Sequence, residues 1–156
     1  MKIIEGSITD KALLGLYGID TIAHGCNIHS IMGAGVALSI KQVFPEAYQA
    51  DLDFHVEESK RLGKYSVGVH KAWGNYNVGS ISIVNLYQQS LGGETPLKID
   101  KLESALTSFV AENSFKKIAL VHGIGCGLAG GDWDIVQPMI ENILEPYDAV
   151  WIKFNG

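Results

Sequence analysis

The apolar positions of this chain alternate between two rhythms. Short alternating or continuous runs have the period of strands, and the stretches between them carry the three- and four-residue spacing of helices. Met1 to Glu5 reads as a first strand. After the turn from Gly6 to Asp10, either Thr9 or Asp10 can cap a short helix through Leu16, closed by Gly18. Thr21 to His24 is a second strand, followed by a polar and glycine-rich loop and then a helix whose Ala37, Ile40 and Phe44 share one face. Pro45 separates that helix from another, predicted from Pro45 to Leu62 with Gly63 as its C-terminal cap.

The pattern then predicts a strand from Tyr65 to Trp73 before a Gly74-Asn75 turn, and another from Ser80 to Leu86 running into a loop that begins Tyr87-Gln88-Gln89. A helix from Ile99 to Glu112 follows, with a short buried strand from Ile118 to Val121 behind it. After a second glycine-rich loop, Ile135, Met139, Ile140 and Ile143 mark a helix reaching Pro146, and a last strand spans Asp148 to Phe154. Strands alternating with helices predict an α/β fold, a three-layer α/β/α sandwich around a mixed sheet with parallel strands at its centre. With 156 residues, the chain suits one domain over 1–156, a size that buries roughly 70% of the unfolded surface.

Two stretches repeat the order strand, glycine loop, helix. In the first, His24, Asn27 and His29 precede Gly33-Ala34-Gly35-Val36, where missing side chains let unpaired N–H groups and the positive helix end approach an anion. In the second, His122-Gly123-Ile124-Gly125-Cys126-Gly127-Leu128 leads to Asp132, which is either a helix cap or a proton carrier. Ligands in such sheets sit outside the carboxyl ends of the strands, so two facing glycine loops there would form a cleft suited to a diphosphate.

Charge narrows the choice of partner. A net charge of −5 without a Lys or Arg stripe argues against an extended nucleic-acid surface. With no signal-peptide core and no apolar run near the roughly 18 residues a membrane span needs, a cytoplasmic protein without membrane contact is expected. The spacing of Cys26 and Cys126 fits neither zinc nor redox chemistry, and both read as small buried hydrophobes. His55 and His70 are read as surface or boundary residues without a chemical role, and neither a metal nor a cofactor is expected.

The order of Gly6-Ser7-Ile8, His24-Gly25-Cys26-Asn27, Met32-Gly33-Ala34-Gly35-Val36-Ala37, Asn85-Leu86-Tyr87-Gln88 and Gly125 to Trp133 resembles the macro domain family over nearly the whole chain. Within that family it looks most like the ADP-ribose 1″-phosphate phosphatases and small ADP-ribosyl hydrolases. The resemblance implies an α/β/α sandwich that binds ADP-ribose or a derivative, free or on an ADP-ribosylated macromolecule. It places Asn27 at the distal ribose, Gly33, Ala34, Gly35 and Val36 on the diphosphate, and Gly125, Cys126, Gly127 and Leu128 on the opposite side.

The same resemblance makes His24 the general acid or base, assisted by Asp132, in hydrolysis of the 1″-phosphomonoester. Ser7 stands where many members carry a carboxylate for the adenine amino group, so base recognition falls to Ser7 and to the backbone of Ile8. His29 and Met32 belong to the first loop, and Tyr87 and Trp133 either stack on the ligand or pack. Gln88, Gln89 and Ala129 replace the lysine and aspartate of the lysine-dependent hydrolases, which disfavours removal of ADP-ribose from acidic side chains. The alternatives are a non-catalytic reader of ADP-ribose and a glycohydrolase that relies on a positioned water.

Overall fold

The computed structural model describes residues 1–71, 79–90, 97–127 and 129–155. Six strands, β1 (Lys2–Glu5), β2 (Thr21–Asn27), β3 (Tyr65–Lys71), β4 (Ser80–Gln89), β5 (Ile118–Val121) and β6 (Ala149–Lys153), form one sheet in the order β1-β6-β5-β2-β4-β3. Every neighbouring pair is parallel except β3 with β4. The sheet is thus mixed and parallel at its centre, with helices on both faces, as the alternation of strands and helices implies.

Helices α1 (Lys11–Leu16), α2 (Gly35–Val43) and α3 (Pro45–Leu52) cover one face, and α4 (Ile99–Glu112) and α5 (Trp133–Leu144) cover the other. Strand periodicity sorts the residues between the two cores. Ile22, Ile81 and Ile83 join Ile40 and Phe44 beneath α1–α3, whereas Ala23, Val84 and Leu86 join Leu102, Phe109 and Ile140 beneath α4 and α5. Gly68 of β3 is required here because a Cβ would strike the backbone of Glu46 and Ala47, so α3 lies directly on the sheet. Asp10, not Thr9, caps α1 by accepting from the Leu13 N–H.

Three expectations about element ends are corrected. The helix from Pro45 stops at Leu52, and only a 3₁₀ turn at Glu58–Lys60 follows. Arg61 explains this: its guanidinium donates to the carbonyl oxygens of Val56, Phe54 and Ile28 at 2.6, 3.0 and 3.2 Å, satisfying loop backbone that a helix would otherwise have to satisfy. Phe54 turns inward and stacks on Tyr87 at 5.1 Å, so the apolar spacing that suggested a helix is met by a folded loop, and His55 is not helical. Strand β2 continues to Asn27 and β4 to Gln89, because the two pair in register through Cys26–Tyr87 before a bulge. The expected Tyr87-Gln88-Gln89 loop is therefore strand. Helix α5 begins at Trp133 behind Asp132 as its N-cap, one of the roles the sequence left open for that residue. The end of the expected Tyr65–Trp73 strand and the Gly74-Asn75 turn lie outside the described residues.

Candidate functional site

The carboxyl ends of β2, β4 and β5 open onto a cleft of about 800 Å³. One wall is the start of α2, with Gly33, Ala34, Gly35, Val36 and Ala37, and the other is the loop carrying Gly123, Gly125 and Gly127. A second cavity of about 350 Å³, lined by Ser7, Ile8, Thr9, Ser39, Ile152 and Phe154 among others, adjoins it, and the two share Gly35, Val36 and Val121.

The first wall is electropositive without any cationic side chain. Ala34 caps α2 with extended backbone and offers no side-chain hydrogen bond, and the first intrahelical bond runs from Leu38 N–H to Ala34 O. The N–H groups of the first turn therefore remain available, together with the positive end of the helix dipole. Gly35 adopts φ of 57°, a conformation that favours glycine. The second wall is a chain of tight turns in which Cys126 N–H donates to Gly123 O and Gly131 N–H to Gly125 O, at 3.0 and 2.8 Å. The N–H groups of Gly123, Gly125 and Gly127 find no partner among the described residues. Two sets of main-chain donors thus face one crevice.

On the floor, Asn27 lines the cleft while closing its own loop: its Oδ1 accepts from His29 N–H and its Nδ2 donates to Ile31 O, both at 2.8 Å. One amide hydrogen and one lone pair remain for a ligand. Gln88 lies over Gly25, where any Cβ would collide with its carboxamide. Its Nε2 donates to Gln89 Oε1 at 2.9 Å, and its own buried Oε1 has no partner among the described residues. Gln88, Gln89 and Ala129 all line this cleft.

His24 also contributes to the cleft, but it is only 1% exposed. Asn85 donates from Nδ2 to Ala47 O and Ser66 Oγ, which leaves its Oδ1 to accept from His24 Nε2–H at 2.7 Å. Burial, partly offset by that hydrogen bond, lowers the imidazole pKa to about 4. Of the two roles expected for His24, general acid or base, this geometry speaks against the acid: at neutral pH the ring is uncharged, and its Nε2 proton is committed to Asn85. The network continues through the Ser66–Tyr87 hydroxyl pair to Asp51, whose carboxylate accepts from Tyr87 and Ser30, and Ser30 accepts from Arg61. Burial holds the Asp51 carboxyl above the usual carboxylate range. Burial also pushes the Cys26 thiol well up, so it remains protonated.

Several other expected site residues lie elsewhere. Tyr87 is wholly buried beneath the sheet because its side chain points toward α3 and its hydroxyl is satisfied there. Met32 packs in a small core with Cys26, Ile28 and Tyr87, where an apolar side chain is driven by burial. His29 turns away to pair with Glu58 at 3.0 Å. Asp132 is the N-cap of α5, accepting from Asp134 N–H at 3.0 Å, and it does not line the cleft. Trp133 packs between His122 and Trp151, at 4.9 and 5.0 Å. Cys126 sits in the second wall without lining the cleft, and Leu128 lies outside the described residues. Conversely, His122, Gln89 and Ser90 line the cleft and Phe154, 72% exposed, stands at the second cavity, although the motif reading did not select them. The signal was present in the positions of His122, after a strand and before a glycine run, and Phe154, at the end of one.

Fold and site together define an α/β/α protein with a crevice lined by main-chain donors at the carboxyl edge of a mixed sheet. A family model described as Macro domain matches residues 23–140, and the chain belongs to the macro domain family. An uncharacterised 17.5 kDa protein from the tk-vs intergenic region of Enterobacteria phage T4 is 34% identical over 159 residues, covering 96% of this chain and 90% of that protein. Among solved structures, the macrodomain of Thermus aquaticus DarG is similar at a TM-score of 0.69 and 22% identity, over 97% of this chain and 96% of that one. Thermosipho africanus DarTG in complex with ADP-ribose is similar at a TM-score of 0.70 and 20% identity, over 99% of this chain but 42% of that one. No helix among the described residues is long and apolar enough to cross a membrane.

Proposed function

We propose that the joined cavities bind ADP-ribose, and that the chain hydrolyses the 1″-phosphomonoester of ADP-ribose 1″-phosphate to ADP-ribose and inorganic phosphate. The observation that carries this reading is the meeting of a small, largely apolar cavity and a wider one at the unpaired N–H groups of α2. An elongated ligand with an apolar base, a central diphosphate and a polar distal ribose matches that sequence of environments. The solved DarTG complex with ADP-ribose, a protein of the same fold, supports it.

In this reading the base enters the cavity of Ser7, Ile8 and Phe154, and the diphosphate bridges Gly33–Val36 and the Gly123–Gly127 loop. Asn27, Gln88 and Gln89 orient the distal ribose and its phosphate. Water adds to phosphorus as the bond to the 1″ oxygen breaks. A non-bridging phosphate oxygen takes the proton of the water, the leaving oxygen takes one from solvent, and main-chain N–H groups offset the developing charge. His24 serves as a positioning residue that holds Asn85 and the end of β2, and Asp132 fixes the start of α5.

A second reading, a reader of ADP-ribose or of ADP-ribosylated macromolecules, is favoured by one observation: no carboxylate lines the cleft among the described residues. Calorimetric titration with ADP-ribose, followed by measurement of phosphate released from ADP-ribose 1″-phosphate, separates the two. Binding with turnover is expected. Binding without turnover selects the reader, and absence of binding refutes both.

A further inference from the structure

We propose that the smaller cavity does not discriminate a 6-aminopurine from a 6-oxopurine, so that the chain takes adenine- and hypoxanthine-containing diphosphate riboses alike. This rests on the reading of that cavity as the base subsite. The apolar side chains around it, Ile8, Val36, Val121, Ile152 and Phe154, recognise the flat face of a ring system, which the two bases share. Selection between them must come from their hydrogen-bonding edge. There adenine presents an amino donor beside a ring acceptor, and hypoxanthine presents a carbonyl acceptor beside a ring N–H.

The side-chain polar groups lining the cavity are hydroxyls, those of Ser7, Thr9 and Ser39, and no charged residue lines it among the described residues. Ser7 Oγ and Thr9 Oγ1 lie 2.9 Å apart, and either can be the donor. A hydroxyl carries one hydrogen and two lone pairs and rotates to suit its partner. The pair can therefore turn a lone pair toward an amino group or a hydrogen toward a carbonyl, with the bond between the two residues reversed and not lost. A carboxylate at this position would only accept, and would repel a carbonyl oxygen. The N–H of Ile8, without a partner among the described residues, is a donor that can meet the ring acceptor of adenine or the second lone pair of the hypoxanthine carbonyl oxygen.

The test is calorimetric titration of the full chain with ADP-ribose and with inosine diphosphate ribose at one salt concentration, for the parent, Ser7→Ala and Ser7→Asp, each checked for folding by thermal melting. The parent is expected to bind both ligands within about fivefold. Ser7→Ala weakens both to a similar extent, and Ser7→Asp opens a preference of at least tenfold for ADP-ribose. A parent preference above tenfold for ADP-ribose, or an unchanged ratio in Ser7→Asp, overturns base tolerance while leaving ADP-ribose binding in place. Failure of both ligands to bind the folded parent removes the base subsite itself.

Discussion

Acidification tests the buried state of His24 directly. In the folded chain the imidazole is held neutral down to about 4, against an ordinary value of 6.5 that the unfolded chain recovers. As pH falls through 6.5, the unfolded state takes up a proton that the folded state refuses. Stability is therefore full above that pH and is lost on descending toward 4, by about 1.4 kcal/mol per pH unit at the steepest part. Between pH 7 and pH 5 the loss is about 2 kcal/mol, a substantial part of the ~5–15 kcal/mol typical of a domain. With a urea slope near 2 kcal/mol/M, the unfolding midpoint should drop by roughly 1 M over that range. Asp51 acts in the opposite sense: its carboxyl is raised above the ordinary 3.8, so as pH falls through the folded value the folded state takes up a proton before the unfolded one does, which offsets part of the loss. The comparison is His24→Gln, which keeps a polar side chain but does not titrate and should lose most of the pH-dependence above pH 5. An equal midpoint shift in parent and variant, or an NMR titration of the His24 ring near its ordinary value in the folded parent, would refute the reasoning.

Other predictions concern the crevice and the network beneath it. Gly25→Ala pushes the Gln88 carboxamide aside, at a cost of about 1–2 kcal/mol because the contacting atoms end a flexible side chain, and Gly25→Ala with Gln88→Ala should recover most of that in a double-mutant cycle read by urea unfolding. Additive effects would show that the two do not touch. Val36→Glu, at a half-exposed position in the first turn of α2, should weaken ADP-ribose at least tenfold in calorimetry while changing stability by less than ~0.5 kcal/mol. Tyr87→Phe strips Asp51 and Ser66 of a buried partner and should cost about 1–3 kcal/mol in denaturant unfolding with little change in ligand affinity.

The order of elements was legible because the two periodicities depend on neighbours a few residues apart. Helix α4 runs over the residues its apolar spacing predicts, Ile99–Glu112, and β5 over Ile118–Val121. Where the local pattern failed, a distant partner had decided. Arg61 supplies the hydrogen bonds that let the chain leave helix after Leu52, and pairing with β2 carries β4 past Leu86 to Gln89. The two glycine walls were visible as motifs because missing side chains leave a mark in sequence. Which side chains enter the crevice was not visible, since a single residue of β2 or β4 changes face with its register. Tyr87 thus lies under the sheet while Gln88 lies over Gly25.

By itself the sequence determined the α/β/α class and the presence of two donor-rich loops, both properties of spacing and of residue types with special backbone freedom, and the order of its motifs carried the resemblance to the family. Only the tertiary structure decided that His24 is a neutral, buried partner of Asn85, that Asp132 is a helix cap, and that Phe154 and His122 stand at the cavities. The reason is that solvation and hydrogen-bond partnership are set across the sheet, between residues as far apart as His24 and Asn85, and such distances leave no periodic trace along the chain.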